Sequence, residues 1–490
     1  MNLSKSRYCK GIQCPKILWL EKYKPNEKEE KDLTSIMEQG NAVHEVAKYL
    51  FGEHINIEYT DKLDEMINNT YSTIESYEDV VITEASFKYE SNFCSVDILR
   101  KQKNTFEIYE VKSSTELKDV YINDASYQYY ILTSLGYNVT KCSVIVINNE
   151  YERIGPLEIT KLFLETDITE TAIELQPIVK ENIAKINKYV ENEKERDEDI
   201  DEHCFKPYPC PFFKYCTRDF PQPNVFNITQ VPGVTGLKFY KQGCLTFEDL
   251  LHVKIRDSYR QRIEFELNDL PDYIDKYNIK EFLKTLTFPM YFLDFETYQM
   301  PVPLYDHVHP YEQIPFQYSL HYYEKEGGEL KHTEFLGIAG TDPRRALAEQ
   351  LVHDIPKDTC TLAYNMSFEK SVIKRLARIY PDLSEHLMNI HSNIKDLEDP
   401  FSHHFYYTKN MKGSSSIKKV LPSLFPGDPS LDYHNLDLIH NGSEAMSSFR
   451  AMENMTKEDV AYTRERLLRY CELDTFAMVK IYQKLLEVVK

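Results

Sequence analysis

A proline-rich segment that carries three cysteines, HCFKPYPCPFFKYCTRDFPQPN, interrupts the chain at residues 203–224. Because proline fixes φ and lacks a backbone donor, this segment cannot continue a helix or a central strand. The sequence alternates between strand-like and helix-like runs on both sides of it. We therefore expect a domain to end here, and a chain of 490 residues to form about three domains of roughly 150 residues each.

The alternating patterns predict an α/β (α+β) architecture in three parts: a domain over 1–220, a small helical linker over 221–285 and a mixed-sheet domain over 286–490. In the first part the patterns predict a helix over 40–52, strands within 80–116, a helix over 117–137 and one long helix over 166–198. In the last part they predict a buried strand at FPMYFLDFETY, a strand at TCTLAYN, a helix at FEKSVIKRLARIY and a long final helix.

Charge and hydropathy narrow the expected partners and compartment. With 58 Lys and Arg against 78 Asp and Glu, the net charge is −20, which argues against coating nucleic acid by bulk charge but allows a local basic groove. No run approaches the roughly 18 consecutive apolar residues of a spanning helix, and the N-terminus lacks a signal-peptide pattern. We therefore expect no membrane partner and a cytoplasmic location, where the ten cysteines would be reduced.

The predicted hairpin within 80–116 carries a first group of charged residues. Glu110 and Lys112 are two residues apart on one strand, so they point to the same side, and Asp97 lies on the partner strand. Both acids stand in apolar runs, and buried carboxylates need partners. Two adjacent carboxylates favour a divalent cation, and oxygen ligands suit Mg²⁺ or Mn²⁺. Lys112 would then orient water or neutralise charge that develops on a phosphate.

This group resembles the PD-(D/E)XK nuclease superfamily in its RecB-like branch. The resemblance rests on Asp97 and on Glu110-Val111-Lys112 as the E-x-K element. His44 in GNAVHEVAKYLF matches the helix histidine of that branch, which the resemblance makes a metal ligand. An ordinary charged surface hairpin is the alternative.

The helix after the hairpin extends the same resemblance. Gln128 in DASYQYYIL matches the following helix motif, in which the glutamine contacts the substrate or the site; Tyr129 or Tyr130 is a further position of that motif. Glu84 is a further acidic candidate, although an ordinary strand role is the expected one. The resemblance implies metal-dependent cleavage of phosphodiester bonds.

The cysteines of the proline-rich segment form the second group. Cys204, Cys210 and Cys216 are spaced C-x5-C-x5-C, and Cys14 is the best remote partner for a four-thiolate site. This spacing is looser than that of most zinc sites, whereas iron–sulfur clusters accept a grouped set plus a remote cysteine. We expect a [4Fe–4S] cluster, with Zn²⁺ or reduced structural cysteines as alternatives. The other candidates for the fourth ligand are Cys9 and His203.

The layout of these cysteines resembles the iron–sulfur nucleases of the RecB family, including its CRISPR-associated member. In those proteins the cluster holds the two ends of the nuclease domain together. The segment PGVTGLKFYKQGCLTFEDL in the linker resembles a helix–hairpin–helix unit, which would present backbone N–H groups to a phosphate. A simple packing role is the alternative for that segment.

Four acids in the last part form the third group. Asp294 and Glu296 are two residues apart at the end of a buried strand, and Glu369 begins a helix after another strand. Tyr470 and Asp474 are i and i+4 on one helix face. Converging carboxylates of this kind bind two divalent ions, which activate water and stabilise a leaving oxygen.

The third group resembles the DEDD exonuclease superfamily on the RNase H-like fold, in its Y-type branch. The motifs are Asp294-x-Glu296, the Asn365-x-x-Phe368-acid element and Tyr470-x-x-x-Asp474. In that branch the tyrosine positions the attacking water. The chain departs from the family in carrying Glu369 where the family has Asp. A domain that only binds nucleic acid is therefore an alternative.

Together these patterns lead us to expect a metal-dependent nuclease that acts on nucleic acid, namely DNA, with a RecB-like centre and a DEDD-like 3′–5′ exonuclease centre. The main alternative is a single live RecB-like centre beside a binding domain, and a scaffold with structural carboxylates is a further one. The sequence predicts no particular protein partner. The expected phosphate contacts are the basic residues near these motifs, namely Arg100, Lys101, Lys112, Lys238, Lys418 and Lys419.

Overall fold

The computed structural model describes residues 3–30 and 34–490, and the chain divides into two compact units. The first unit comprises Met1–Phe220 and Met300–Glu312, and the second comprises Pro221–Gln299 and Gln313–Lys490. Both units combine helices with a mixed sheet, so the predicted α/β class is confirmed. Among the described residues, every helix is too short or too polar to cross a bilayer.

Over residues 3–30 and 34–220, the first unit contains seven strands and nine α-helices. The strands are β1 (Leu3–Ser4), β2 (Ile55–Asn56), β3 (Asp79–Tyr89), β4 (Asn92–Gln102), β5 (Thr105–Lys112), β6 (Asn138–Ile147) and β7 (Phe163–Asp167). The helices are α1 (Lys5–Gln13), α2 (Pro15–Tyr23), α3 (Thr34–Ala47), α4 (Leu63–Ser76), α5 (Asp119–Ser134), α6 (Ile159–Leu162), α7 (Thr169–Glu174), α8 (Gln176–Glu191) and α9 (Phe213–Cys216).

The sheet of this unit has the order β2-β3-β4-β5-β6-β7, and β1 pairs with β4. Strands β3, β4 and β5 form antiparallel hairpins, whereas β5 and β6 run parallel because α5 connects them. The strands β5 and β6 are buried along most of their length, and β6 ends in a continuous apolar run over residues 144–147, as expected for strands that are covered on both faces. Helix α5 is buried along most of its length between this sheet and other helices.

Two helix predictions in this unit were wrong in their bounds. The helix predicted over 40–52 begins at Thr34 and ends at Ala47, and Gly40 lies in its middle rather than before its first turn. The single helix predicted over 166–198 is instead β7, α7 and α8. The amphipathic period continues through this region, but Pro177 at the start of α8 cannot donate to a preceding turn and so begins a new helix.

The segment 300–312 belongs to the first unit although its neighbours in the chain belong to the second. The Arg153 guanidinium donates to the carbonyl of Pro303 at 2.9 Å, and the Gly155 N–H donates to Asp306 Oδ1 at 2.7 Å. The Tyr311 hydroxyl donates to the carbonyl of Ser113, just after β5. The compact units therefore differ from the division at residue 286 that the sequence suggested.

The second unit contains seven further strands. These are β8 (Tyr273–Ile274), β9 (Met290–Tyr298), β10 (Ile314–Tyr323), β11 (Leu330–Leu336), β12 (Cys360–Ala363), β13 (Ile394–Asp396) and β14 (Tyr406–Tyr407). Its helices are α10 (Val234–Tyr240), α11 (Phe247–Leu250), α12 (Asp257–Asn268), α13 (Lys276–Lys284), α14 (Arg344–Asp354), α15 (Ser367–Ile379), α16 (Ser384–Asn393), α17 (Asp399–Ser402), α18 (Ile417–Leu424), α19 (Gly442–Ala451) and α20 (Lys457–Val488).

The five-stranded sheet of this unit has the order β11-β10-β9-β12-β13, in which β9, β12 and β13 are parallel and β10 and β11 are antiparallel to their neighbours. Helix α20 packs across β9 and β10 through residues such as Leu473 and Ala477. Phe265 of α12 and Ile279 of α13 are buried in the same core. The predicted linker 221–285 is therefore part of this unit rather than a separate domain.

Candidate metal centres and a cysteine group

The first candidate centre lies where β4 and β5 stop pairing. The ladder between them ends at Ile98 and Tyr109, and beyond that point Asp97 Oδ2 accepts the backbone N–H of Val111 at 2.8 Å. The side chain of Glu110, two positions before Lys112, is fully buried. Strand alternation therefore places Asp97, Glu110 and Lys112 together, as the sequence predicted.

Two ammonium groups and an amide hold the oxygens of Glu110. Lys112 Nζ lies 2.5 Å from Glu110 Oε1 and 2.6 Å from Asp124 Oδ2. Gln128 Nε2 donates to Glu110 Oε2 at 2.6 Å. Lys5 Nζ lies 2.9 Å from Asp97 Oδ1 and 3.1 Å from Glu110 Oε1. Lys5 thus bridges the two carboxylates between which we expected a divalent cation.

The charges of this centre are internally balanced. Burial alone would raise the pKa of Glu110, but Lys112 and Lys5 outweigh it and hold that pKa well below its usual range. Burial would lower the pKa of Lys112, yet Glu110 and Asp124 raise it above its ordinary value. Burial and the Glu110 charge raise the pKa of Asp124 to about 6. Glu110 and both lysines are therefore charged at neutral pH.

A histidine and two acids form a metal-ligating group beside these lysines. One ligand atom each of His44, Glu84 and Asp97 lies within 4.8 Å of the others. His44 is brought there by α3, whose Val43 and Ala47 are buried in the same hydrophobic cluster as Tyr109. The donor set, two carboxylates and an imidazole, suits a divalent cation such as Mg²⁺ or Mn²⁺. Glu110 is outside this group of three.

Glu84 reaches this group through an unusual backbone conformation. It lies in β3 opposite Asp97, and its φ of 58° is in the left-handed region, which non-glycine residues rarely adopt. Ser95 Oγ donates to Glu84 Oε2 at 3.2 Å. Burial raises the pKa of Glu84, and the charge of Asp97 raises it further. Strain of this kind persists where the surrounding structure enforces it, often at functional sites.

Sequence reasoning missed Lys5 and did not assign Asp124 to the site. Lys5 is placed by its neighbours: Leu3 of β1 pairs with β4, and Tyr8 of α1 stacks on Tyr127 of α5 with ring centres 4.6 Å apart. No local pattern marks a lysine at the N-terminus as a partner of β4. Asp124 lies one helical turn before Gln128 on α5, so helical spacing could have found it.

The second candidate centre lies where α20 crosses β9. One carboxylate oxygen each of Asp294, Glu296 and Asp474 lies within 4.8 Å of the others. Strand β9 supplies the first two from alternate positions, and α20 supplies the third. Gly442, the first residue of α19, lies beside Glu296, and a Cβ added there would make an ordinary van der Waals contact with Glu296 Oε2 at 3.6 Å. Sequence reasoning had no signal for that glycine.

Two tyrosines adjoin this acidic group. Tyr470, which the sequence placed here, is buried, and Asp474, Glu296 and Asp294 all raise its pKa in addition to burial. The Tyr433 hydroxyl, which sequence reasoning missed, donates to Asp474 Oδ1 at 2.6 Å. Tyr433 also lines a cavity of about 580 Å³ together with Lys418 and His440. Tyr433 therefore provides the direct hydrogen bond to the third acid.

Glu369 stands somewhat apart from the other three acids. It is buried at the start of α15, and its Oε2 has no hydrogen-bond partner among the described residues. The turn that presents it is held by Asp396, whose two oxygens accept the N–H groups of Asn365 and Met366, both at 3.0 Å. Glu369 is outside the group within 4.8 Å, but its charge contributes to the raised pKa of Asp294.

Electrostatics in the second centre run opposite to those in the first. Burial raises the pKa of Asp294 well above its usual range, and the Asp474 and Glu296 charges add to this. Burial raises the pKa of Glu296 and of Glu369 to about 8 and that of Asp474 to about 6. Lys418 opposes the rise for Glu296 and Asp474. At neutral pH Asp294, Glu296 and Glu369 are therefore held protonated unless a cation neutralises them, whereas Asp474 is ionised. The oxygens of all four acids suit divalent cations.

The predicted cysteines meet in the first unit. Cys14, Cys204, Cys210 and Cys216 all line one small cavity, to which His203 also contributes. The thiol of Cys9 instead donates to the carbonyl of Val120 at 3.8 Å. Gln13 Nε2 donates to the carbonyls of His203 and Tyr208, both at 2.8 Å, so the neighbouring segments are joined by hydrogen bonds as well.

The environment of the four thiols tests which metal group fits. Burial raises the pKa of Cys14 and Cys204 to about 11 and that of Cys210 to about 12, while the N–H groups of Lys16 and Ile17 oppose the rise for Cys14. Over residues 3–30 and 34–490, the groups with three or more ligand atoms within 4.8 Å do not include these thiols. A single Zn²⁺ at about 2.3 Å from each sulfur needs a tighter set, whereas an iron–sulfur cluster, which four cysteine thiolates hold, places its sulfur ligands farther apart.

The predicted phosphate contacts have varied surroundings. Lys101 Nζ donates to the carbonyl of Ile74 at 2.7 Å, and Arg100 pairs with Glu107 at 3.3 Å. Lys418 and Lys419 are exposed at the start of α18. In the predicted helix–hairpin–helix segment, Gly236 of α10 is required by packing, because a Cβ there would lie 2.9 Å from the Cα of Phe226.

Residues 291–416 match a family model described as Domain of unknown function (DUF2779). The match includes Asp294, Glu296 and Glu369 and ends before α18, so it contains neither Tyr470 nor Asp474. No curated protein and no solved structure matches the chain.

Proposed function

We propose that the protein is a divalent-metal-dependent nuclease that hydrolyses phosphodiester bonds in DNA. The observation that supports this proposal most strongly is the presence of two separate sets of metal-ligating groups within 4.8 Å, His44, Glu84 and Asp97 in the first unit and Asp294, Glu296 and Asp474 in the second. The first set lies beside a lysine of the E-x-K element. The first set shares His44 and Asp97 with the RecB-like resemblance, with Glu84 in place of Glu110, and the second shares all three of its acids with the DEDD resemblance, which implies 3′–5′ exonuclease action.

The residues of the first centre have separable roles. His44, Glu84 and Asp97 would hold the cation, with Glu110 joining once Lys5 moves. When bound, a divalent cation supplies Lewis-acid activation of phosphate and water. The Lys112 ammonium, held by Glu110 and Asp124, is fixed in place and can stabilise charge that develops on the phosphate. Gln128 fixes Glu110 in turn.

The second centre would bind its cations through Asp294, Glu296 and Asp474, with Glu369 as a further ligand. Tyr470 is placed to orient a water molecule, and Tyr433 holds the Asp474 carboxylate. A second candidate function is favoured by Glu369, which lies outside the close group. In that case this unit binds nucleic acid without cleaving it, and the first centre alone is active.

We further propose that Cys14, Cys204, Cys210 and Cys216 hold a [4Fe–4S] cluster that links α2 to the segment 204–216. Protein purified without oxygen should contain iron and sulfide, and Cys14→Ser should lose most of both while Cys9→Ser, whose thiol lies elsewhere, retains them. Zinc without iron in the wild-type protein would replace the cluster by the Zn²⁺ alternative.

The nuclease proposal is tested with end-labelled single- and double-stranded DNA and Mn²⁺. We compare the full-length wild type with Asp97→Ala, Asp294→Ala and the double variant. Two live centres predict partial loss in each single variant and complete loss in the double variant, with release of 3′-terminal nucleotides lost on Asp294→Ala. Asp64→Ala and Asp272→Ala, at exposed positions in the two units, are matched controls.

The outcomes separate the two candidate functions. If Asp97→Ala abolishes all cleavage while Asp294→Ala only weakens DNA binding, the second unit is a binding domain. If the double variant cleaves DNA as fast as the wild type, neither centre is a nuclease. Parallel digestion of RNA establishes whether DNA is the preferred substrate.

A further inference from the structure

A pair of histidines in the second unit lies outside both centres. His321 of β10 and His332 of β11 are directly opposite each other in the antiparallel ladder, with ring centres 4.5 Å apart. Glu472 of α20 approaches the same point. One ligand atom of each of these three residues lies within 4.8 Å of the others. Three different elements therefore contribute to one group.

Two hydroxyl groups orient the imidazole rings. His321 Nδ1 lies 2.8 Å from Thr475 Oγ1, and His332 Nε2 lies 2.9 Å from Ser319 Oγ. Ser319 Oγ lies 2.7 Å from Thr475 Oγ1, which donates to the carbonyl of Glu472 at 3.2 Å. One assignment uses every proton once: each ring donates to its hydroxyl, Ser319 donates to Thr475, and Thr475 donates to Glu472. The second nitrogen of each ring then keeps a free lone pair.

The charge state of this group also favours metal binding. Burial lowers the pKa of His321 to about 4, with a contribution from His332, and burial lowers the pKa of His332 although Glu472 opposes this. Both rings are neutral at pH 7, which is the form that binds metals. Glu334 Oε2 lies 4.0 Å from His332 Nε2, and burial, to which the Glu472 charge adds, raises the pKa of Glu334. His321 is buried whereas Glu472 is exposed, so solvent reaches the group from one side.

We propose that His321, His332 and Glu472 form a third metal site, which takes a transition-metal ion of the zinc class. Two imidazoles and a carboxylate suit such ions, whereas the all-carboxylate second centre suits Mg²⁺ or Mn²⁺. The hydroxyls of Ser319 and Thr475 act as the outer-shell partners that orient metal-ligating histidines. This proposal does not depend on the nuclease activity.

The site would join α20 to the edge of the sheet. Gln317 Nε2 of β10 already donates to the carbonyl of Leu467 of α20 at 2.8 Å. A metal ion held by β10, β11 and α20 would restrict the helix that also carries Tyr470 and Asp474. Binding should therefore stabilise the folded chain, because a ligand that binds only the native state shifts the folding equilibrium.

The test is Zn²⁺ binding to the full-length chain after removal of metals with a chelator. Native mass spectrometry counts the ions, and titration calorimetry gives the dissociation constants. Glu472→Gln and His332→Gln should each bind one ion fewer, or bind it at least about 10–100-fold more weakly, which is what loss of an outer-shell partner alone costs. Ser319→Ala should keep the ion and weaken its binding by about 10–100-fold. Co²⁺ bound at this site should give a visible absorption band, which Glu472→Gln and His332→Gln should lose.

Glu465→Gln is the matched control, because Glu465 is an exposed residue of α20 two turns before Glu472. It should bind Zn²⁺ as the wild type does. If Glu472→Gln and His332→Gln retain the stoichiometry and affinity of the wild type, the site does not exist and Zn²⁺ goes only to the other centres. Glu472→Gln decides this even if His332→Gln fails to fold, since Glu472 is exposed.

Discussion

The two candidate centres contain similar carboxylates but balance their charges in opposite ways. In the first centre Lys5 and Lys112 contact Glu110 directly, and the pKa of Glu110 is held below its usual range. In the second centre the oxygens of Asp294, Glu296 and Asp474 lie within 4.8 Å of one another, and burial raises the pKa values of these acids. Their nearest side-chain donors are the Tyr433 hydroxyl and the Cys471 thiol. Lys418 is the cation that lowers those pKa values, and its side chain is exposed.

This difference shows that the same kind of donor set can be assembled at very different electrostatic cost. A buried carboxylate must be protonated, paired with a cation or bound to a metal. The first centre carries its cations in the chain, so a metal ion has to displace a lysine from part of the site. The second centre holds protons instead, so a metal ion has to displace protons. Substitution of a lysine in the first centre, or of an acid or a tyrosine in the second, should therefore have different consequences.

The largest expected effect follows from removing the fixed lysine of the first centre. In an Asp294→Ala background, Lys112→Ala should lower the cleavage rate by about 10²-fold or more while Mn²⁺ affinity changes little, because Lys112 stabilises developing charge rather than the ion. Single-turnover kinetics with labelled DNA measures this. Lys118→Ala, an exposed neighbour, is the control, and an unchanged rate for Lys112→Ala would remove the assigned role.

Replacing the other lysine should have the opposite sign. Lys5→Met keeps the side-chain length but releases Asp97 and Glu110, so Mn²⁺ should bind the first centre about tenfold more tightly, a gain of about 1.4 kcal/mol. The metal-free protein should be less stable, since Glu110 loses a partner. Calorimetry measures Mn²⁺ affinity and thermal unfolding measures stability. The control is Lys10→Met, because Lys10 lies on α1 as Lys5 does but pairs with Glu21 of α2. Weaker Mn²⁺ binding would show that Lys5 supports the metal site instead of competing with it.

The second centre should make the metal-free protein less stable as pH rises. The pKa of Glu296 is about 8 in the folded chain against an ordinary value of 4.5. Between these values the unfolded chain loses its proton first, so the contribution to stability falls as pH rises. The Gln side chain of Glu296→Gln cannot ionise. The thermal unfolding midpoint of this variant, relative to that of the wild type, should therefore be higher at pH 8 than at pH 5 by at least about 2–4 °C. An equal difference at both pH values would contradict the protonated state.

Glu110 provides the internal contrast to this titration. Its pKa is lowered in the folded chain, so its contribution to stability is present above its ordinary pKa and is lost as pH falls. Saturating Mn²⁺ should reverse the effect of pH on the wild type at the second centre, because ions bind the deprotonated acids. Thermal unfolding measured across pH, with and without Mn²⁺, shows the loss of stability at low pH from Glu110 and the loss at high pH from the second centre.

The smallest expected effects come from the two tyrosines of the second centre. Tyr433→Phe removes the hydrogen bond to Asp474 and should weaken Mn²⁺ binding by about tenfold, which is the low end of the value of one such bond to a charged group. Tyr470→Phe should lower the exonuclease rate and leave Mn²⁺ affinity unchanged, because its proposed role is to orient water. Reversed results for the two variants would exchange their roles.

The sequence was sufficient where short-range periodicity decides the geometry. Strand alternation brought Asp97, Glu110 and Lys112 together, and helical spacing placed Tyr470 and Asp474 on one face. Lys5 was out of reach because 92 positions separate it from Asp97 and only β1 and the stacked Tyr8 bring it there.

Other residues could not be placed because the backbone departs from regular geometry or because distant segments converge. Glu84 was a secondary candidate in the sequence, and it reaches the site through a left-handed conformation that strand periodicity does not predict. Tyr433 and Gly442, the latter at the start of α19, come from segments whose positions depend on the packing of the whole unit. The sequence did not predict the group of His321, His332 and Glu472, because only the register of β10 and β11 shows that the two histidines lie opposite each other.

The position of residues 300–312 governs how the gene can be dissected. The chain runs from the first unit into the second, returns to the first for this short segment and then re-enters the second. No single cut therefore yields both units complete. A fragment that starts at residue 221 would expose Val302 and Tyr311 without their apolar partners. A fragment that stops at residue 220 would leave Arg153 without the carbonyl acceptors of Pro303 and Leu304. Separate expression of either unit calls for replacing 300–312 with a short polar turn, or for adding the segment in trans as a peptide.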